Sequence, residues 1–260
     1  MMVTAAAREI QDGELVFVGM RLPLLAFLLA QATHAPRAVG LYENGLIRAR
    51  AAPQMLYTMS DRPNVTGATR ATDMLEIMGL LQSGRVQLGF VGAAQVDRFG
   101  NLNSTWVQSP AHPASPGPAT QGGRRTRLPG SGGASDIASL AGRLVVLLPH
   151  RRRRLPERVD YCTSPGYGTG AGWRERTGLP RGGPAAVITD RAVLRFHPET
   201  REAMLASYHG GFTPESIAAE TGWAIQATRE LRETEPPSEA DLAFLRRLDP
   251  EGFWLGRPAP

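Results

Sequence analysis

Glu43 is the residue of this 260-residue chain whose surroundings best suit a nucleophile. It closes the apolar run Val39-Gly40-Leu41-Tyr42 and is followed at once by Asn44-Gly45. The run has the residue types of a buried strand, and Asn-Gly is a strong turn signal. A carboxylate where a strand stops in an open α/β sheet lies on the side where ligands bind. Backed by apolar residues, it is poorly solvated and rigidly held, as a carboxylate nucleophile requires. A second stretch, Gly130-Ser131-Gly132-Gly133-Ala134-Ser135-Asp136, runs into Ile137–Ala141 and reads as a glycine-rich loop opening a helix. Unshielded N–H groups at such a loop favour an anion or a developing oxyanion. Each stretch also has a plainer reading, as a surface turn and as a tight helix entry. The five His show no i, i+4 spacing and there is one cysteine, Cys162, so neither a metal centre nor an intrachain disulfide is expected.

The elements that must position these residues are legible in part. Thr4–Gln11 reads as a short helix, Glu14–Val18 as a strand, and Leu22–Ala32 as a helix that is apolar almost all round, with Pro23 at a permitted early position. With the strand leading to Glu43, these form a strand–helix–strand unit, the basis of a parallel sheet. Arg48–Thr69 reads as a long loop with a short strand at Met55–Thr58. Asp73–Gln82 reads as an amphipathic helix capped by Thr72 or Asp73. Strands are expected at Val86–Val91, Arg143–Leu148 and Val159–Thr163. Ala185–Thr189 and Val193–Phe196 suggest a hairpin, with Ala203–Tyr208 as a third antiparallel strand. Thr213 and Ser238 open helices, and the tail from Gly252 reads as extended. The Pro- and Gly-rich stretch 108–129 reads as a surface insertion that makes no regular element. No linker divides the chain, so residues 1–260 read as one domain. The fold class expected is α/β: an open, mostly parallel sheet flanked by helices, with an antiparallel hairpin near the C-terminus.

Composition narrows the function classes. A hydrophobic fraction of 42% and a charged fraction of 20% are those of an ordinary globule. The net charge is +5, yet there is no Lys and every basic residue is Arg, scattered apart from Arg151–Arg154 and Arg124-Arg125-Arg127. No aromatic residues interleave these runs, as a single-strand stacking surface would need, so nucleic acid is not an expected partner. The longest apolar run, Leu22–Ala30, is too short to span a bilayer, and no secretory signal is apparent. With one cysteine, this suits a reducing cytoplasm.

Taken together, the segments resemble the β subunit of class I coenzyme A transferases, closest to the glutaconate CoA-transferase type. The resemblance is carried by Glu43–Gly45 (ENG), Phe90–Thr105 (FVGAAQVDRFGNLNST), Gly130–Asp136 (GSGGASD) and Asp160–Gly166 (DYCTSPG). Arg174–Pro180 (RERTGLP) and Val187–Asp190 (VITD) add to it. It implies a homologous α subunit as partner, acyl-CoA and a carboxylic acid as substrates, and no cofactor beyond coenzyme A itself. It implies that Glu43 attacks the acyl-CoA thioester, that a mixed anhydride forms, and that the released thiolate then gives a glutamyl-CoA thioester. Gly132 and Gly133 are the implied oxyanion donors, and Gly92, Ala93 and Gln95 are implied to line the same pocket. Asn44 either orients Glu43 or serves only the turn. The 108–129 stretch is longer and richer in Pro than the family usually has. Three other readings stay open at this point: a CoA-thioester hydrolase on the same scaffold, a non-catalytic subunit, and a sugar-phosphate isomerase, which the absence of Lys disfavours.

Overall fold

Apolar residues that alternate along the strands build one ten-stranded sheet with a separate core on each face. The computed structural model describes residues 1–109, 124–179 and 181–256. In chain order the elements are α1 (Met2–Ala7), β1 (Leu15–Phe17), α2 (Leu22–Ala32), β2 (Val39–Leu41), β3 (Leu46–Arg48), α3 (Arg62–Val65), β4 (Arg70–Ala71), α4 (Met74–Gln82) and β5 (Leu88–Gly92). There follow β6 (Gln95–Val96), β7 (Leu102–Asn103), β8 (Trp106–Ser109), β9 (Arg124–Arg127), α5 (Ala134–Leu140), β10 (Arg143–Leu147) and α6 (Trp173–Arg176). The chain then forms β11 (Pro184–Ile188), β12 (Ala192–Phe196), β13 (Ala203–Tyr208), α7 (Pro214–Ala219), β14 (Ala227–Glu233) and α8 (Glu239–Leu248).

The strand order is β14-β13-β12-β11-β10-β5-β1-β2-β3-β4. Its centre, β11-β10-β5-β1-β2, is parallel throughout, so the C-terminal ends of these five strands share one edge. Antiparallel strands flank it: β12 and β13 on one side, β3 and β4 on the other. Val145, Leu147, Ala186 and Ile188 face a core shared with α1, α2 and α8. Their neighbours Leu144, Val146 and Val187 face a second core shared with α4, α5 and α7. This period-two division is what a sheet covered by helices on both faces requires. The expected open, mostly parallel sheet with an antiparallel hairpin near the C-terminus is the one observed.

Several expectations differ from the structure. There is no strand at 55–58; the loop is gathered instead by the buried Arg48 guanidinium, which donates to the carbonyls of Arg50, Ala51, Pro63, Asn64 and Thr66. Val159–Thr163 forms no strand because side chains claim its backbone: the Gln95 amide oxygen accepts the Asp160 N–H. The first helix begins and ends earlier than Thr4–Gln11, since the Glu14 carboxylate accepts the Gln11 N–H and draws the chain into a turn. The expectation that 108–129 makes no regular element fails at its ends, where β8 and β9 pair antiparallel. The Arg125 guanidinium there lies 4.4 Å from the Trp106 ring centroid; residues 110–123 lie outside the described part. The tail is folded as far as Leu255, because the Asp249 carboxylate accepts the N–H groups of Phe253, Trp254 and Leu255.

Candidate active site

Glu43 sits in the turn between β2 and β3, at the shared C-terminal edge of the parallel strands. The turn closes through Gly45 N–H to the Tyr42 carbonyl at 2.9 Å, and Tyr42 N–H to the Leu46 carbonyl at 2.9 Å. Tyr42 is fully buried beneath it. Gly45 has φ +98°, and a Cβ there would come within 2.2 Å of the Thr72 carbonyl oxygen, so only glycine fits. The Gly45 carbonyl in turn accepts the Thr72 N–H at 2.9 Å, tying the turn to the chain just before α4. Asp73 caps α4 by accepting the Glu76 N–H. The Asn44 amide donates to the Met59 carbonyl (3.1 Å) and the Ser60 hydroxyl (3.0 Å), so it anchors the turn to the neighbouring loop.

The half-buried Glu43 carboxylate reaches the glycine loop: Gly133 N–H donates to Glu43 Oε1 at 3.1 Å. A Cβ on Gly133 would meet Oε1 at 3.1 Å and Met78 Cε at 2.8 Å, so the missing side chain is what lets the carboxylate lie against the backbone. A Cβ on Gly132 would lie 3.8 Å from the same oxygen. The structure therefore brings together two stretches far apart in the sequence, Glu43 and Gly132-Gly133.

The loop after β5 divides. Gly92 and Ala93 line a cavity, but the Gln95 side chain is buried in a scaffold network and does not. Gln95 Oε1 accepts from Asn103 Nδ2 (2.7 Å) and the Asp160 N–H (3.1 Å), while Nε2 donates to Asp160 Oδ2 (3.1 Å). With a longer bond from Nε2 to the Arg153 carbonyl at 3.4 Å, the Gln95 side chain is tied into the scaffold and stands apart from this cavity. The network continues through Thr163 to Ser135, whose hydroxyl donates to the Thr163 carbonyl at 2.8 Å and so steadies the start of α5. Asp97 and Asn101 belong to the same scaffold. Asp97 accepts the Phe99 and Asn101 N–H groups, and Asn101 Oδ1 accepts those of Gly166 and Gly168. Burial raises the Asp97 carboxyl above its usual range.

The cavity is about 530 Å³ and lies over the ends of β5, β1 and β10. It reaches Leu128-Pro129, just before the glycine loop, and is walled by Met20–Pro23, Leu147–Pro149, Arg154, Phe253 and Trp254. Neither Glu43 nor Gly133 is among its lining residues. Sequence reasoning missed Arg21, Arg154 and Trp254 here. The one signal was the aromatic pair Phe253-Trp254 in an otherwise featureless tail. Among the described residues, no group of His, Cys, Asp and Glu is arranged to hold a metal ion, and no helix is long and apolar enough to cross a membrane.

An open sheet with a carboxylate and a glycine loop at its parallel edge defines a class, and comparison with known proteins gives the family. The profile of the Coenzyme A transferase family matches residues 1–220. The chain belongs to that family. It is 38% identical over 251 residues to the B subunit of 3-oxoadipate CoA-transferase from Pseudomonas knackmussii, a match covering 96% of this chain and 92% of that one. Glutaconate coenzyme A-transferase from Acidaminococcus fermentans superposes with a TM-score of 0.86 at 29% identity, over 99% of this chain and 96% of that chain. The decarboxylase AibA/AibB superposes with a TM-score of 0.79 at 29% identity, over 98% and 97%.

Proposed function

We propose that this chain is the β subunit of a CoA-transferase, that Glu43 is its nucleophile, and that it works with a homologous α subunit. The observation that carries the reading is the hydrogen bond from Gly133 N–H to Glu43 Oε1. In this reading the free carboxylate oxygen of Glu43 attacks the thioester carbonyl of acyl-CoA. The tetrahedral intermediate collapses, the C–S bond breaks, and CoA leaves as a thiolate, giving a mixed anhydride. The thiolate then attacks the glutamyl carbonyl, the donor acid leaves as its carboxylate, and a glutamyl-CoA thioester remains. An acceptor carboxylate takes the CoA by the reverse steps.

Gly133 suits this sequence because its N–H already points at a glutamate oxygen. When the thiolate attacks the glutamyl carbonyl, that oxygen carries the developing charge, and the donor is in place without reorganisation. Gly132 lies one residue away as a second donor. Gly92 and Ala93 leave the backbone open where a bulky thioester must approach. The half-buried carboxylate is fixed by the turn locked at Gly45, which supports a stationary nucleophile.

The test uses the chain co-expressed with its candidate α subunit. The complex is incubated with acyl-CoA, treated with borohydride, and analysed by intact mass and peptide mapping. Reduction of a glutamyl thioester to the alcohol at Glu43 is the expected result, and Glu43→Gln abolishes both the trapped product and CoA transfer. Free CoA released from acyl-CoA with no trapped product, and no labelled CoA passed to a second acid, replaces the reading with hydrolysis. Full transfer by Glu43→Gln replaces it with a non-catalytic role.

A further inference from the structure

The glycine loop that meets Glu43 has little of its own to hold it. Three of the four residues from Gly130 to Gly133 are glycines, and Gly130 and Gly132 have φ +100° and +49°. Such a segment has more backbone freedom to lose on folding than any other. Within it, Ala134 N–H donates to the Ser131 carbonyl at 3.0 Å. Yet an oxyanion donor works only from a fixed position, and Gly133 N–H stands 3.1 Å from Glu43 Oε1. What fixes it must lie outside the loop.

Bonds from outside the loop converge on Thr163. On the entering side, Leu128 N–H donates to the Thr105 carbonyl and Gly130 N–H to the Ser104 carbonyl, each at 2.8 Å. Ser104 and Thr105 are in turn seated on the Thr163 hydroxyl. It accepts the Ser104 N–H at 2.9 Å and lies 2.8 Å from the Thr105 hydroxyl. On the leaving side, the Ser135 hydroxyl donates to the Thr163 carbonyl at 2.8 Å. Thr163 is itself fixed by its N–H to the Leu102 carbonyl at 2.8 Å, beside a bridge that joins Leu102 to Ser164. One half-buried residue thus holds both arms of the loop, one through its side chain and the other through its main chain.

Resting on the transferase reading, we propose that Thr163 is a positioning residue. By clamping both arms of the glycine loop it sets the Gly133 N–H against Glu43, and so governs the rate of the thioester steps without touching substrate. A thiolate attacking the glutamyl carbonyl finds its oxyanion donor in place only while the clamp holds. Without the Thr163 hydroxyl, the Ser104 N–H loses its acceptor, the Ser104-Thr105 turn relaxes, and the carbonyls that hold Leu128 and Gly130 move with it.

The test compares Thr163→Val, which keeps the shape and removes the hydroxyl, with Thr163→Ser, which keeps the hydroxyl, in the complex with the α subunit. Borohydride quenching at successive times after acyl-CoA is added gives two quantities: the rate at which the glutamyl-CoA thioester forms and the fraction of chains that form it. Thr163→Val is expected to lower that rate and kcat about 10- to 100-fold, with KM for acyl-CoA within about threefold and the full fraction trapped at long times. Thr163→Ser should bring the rate back to within about threefold of the parent. Ser135→Ala opens the other arm and should lower the rate in the same way; it carries the test if Thr163→Val does not assemble. Adding it to Thr163→Val should lower the rate by less than the product of the two effects, because both changes loosen one loop.

A merely structural residue would lower the trapped fraction and leave the rate of the remaining chains alone, and that result overturns the proposal. So does a Thr163→Ser rate no better than that of Thr163→Val. Hydrogen exchange of the complex reads the clamp without any turnover. The Leu128 and Gly130 amides should exchange at least about tenfold faster in Thr163→Val than in the parent, and unchanged exchange overturns the proposal. A parent complex that transfers no CoA sinks the transferase reading, and the exchange result still decides the clamp.

Discussion

Replacing Gly133 by Ala is the sharpest test of the contact between the glycine loop and Glu43. The backbone of Gly133 has φ −75° and ψ 0°, which alanine adopts without strain. The new methyl group would meet Met78 Cε at 2.8 Å and Glu43 Oε1 at 3.1 Å. Met78 ends in a flexible thioether and can turn aside. The glutamate, held by the turn locked at Gly45, is the part that must give, and with it goes the hydrogen bond at 3.1 Å. A hydrogen bond to a charged group contributes roughly 1.5–3 kcal/mol. At 1.36 kcal/mol per decade, Gly133→Ala should lower kcat/KM for CoA transfer roughly 10- to 150-fold. Thermal unfolding of the variant should stay within about 2–4 °C of the parent, because no buried apolar contact is lost. Trimming Met78 to Ala in the same chain should not restore the rate. Activity within twofold of the parent would refute the reasoning; so would a rate loss that Met78→Ala repairs, since the clash would then lie with methionine and not with the nucleophile.

Two further outcomes concern the scaffold. His150 is fully buried between Thr189 and Thr221, and desolvation pushes its pKa down from 6.5 to about 4; His209 is lowered in the same direction for the same reason. The imidazole is neutral in the fold, so the unfolded chain binds the extra proton between these values. Stability should therefore be full above about pH 6.5, fall as the pH drops, and level off below about pH 4, with a swing of about 3 kcal/mol from His150. Urea midpoints at pH 7.5, 6 and 5 measure this, and His150→Gln should flatten the slope. Arg174 is buried and donates to the carbonyls of Arg181, Gly166, Ala138 and Ser139. Arg174→Lys replaces a planar fork by a point donor and should cost about 1–3 kcal/mol in a urea titration; an unchanged midpoint would show that water satisfies those carbonyls.

What could be read in advance was whatever local chemistry decides. The helix at Leu22–Ala32 and the strands at Ala192–Phe196 and Ala203–Tyr208 were legible because apolar pattern and turn residues agree there. The turn at Glu43 was legible because Asn-Gly admits few conformations, and the glycine loop because so many glycines in a row serve little else. What stayed hidden was decided by distant side chains. Nothing near Met55–Thr58 announces that Arg48 will collect its loop, and nothing near Val159 announces that Gln95 will claim Asp160. The strand Ala227–Glu233 went unread because it is a charged edge strand with little apolar alternation to reveal it. Arg21 and Trp254 meet only when the chain has folded back on itself. Several polar signature residues, among them Gln95, Asp97, Asn101 and Asn103, hold loops together, so a motif that marks a family marks its scaffold as much as its chemistry.

Arg48 has a consequence for motion. One guanidinium closes five carbonyls spread from Arg50 to Thr66, so the segment has no part that can loosen by itself. If Arg48 lets go, every strand of the knot loses its anchor at once. The amide protons of this loop should then exchange with solvent as one block, at one free energy of opening, rather than as a gradient from a soft tip to firm ends. The Asn44 amide is fastened to Met59 and Ser60 in that same block. The steadiness of the turn that carries Glu43 is thus set by a cation buried at the other end of the loop.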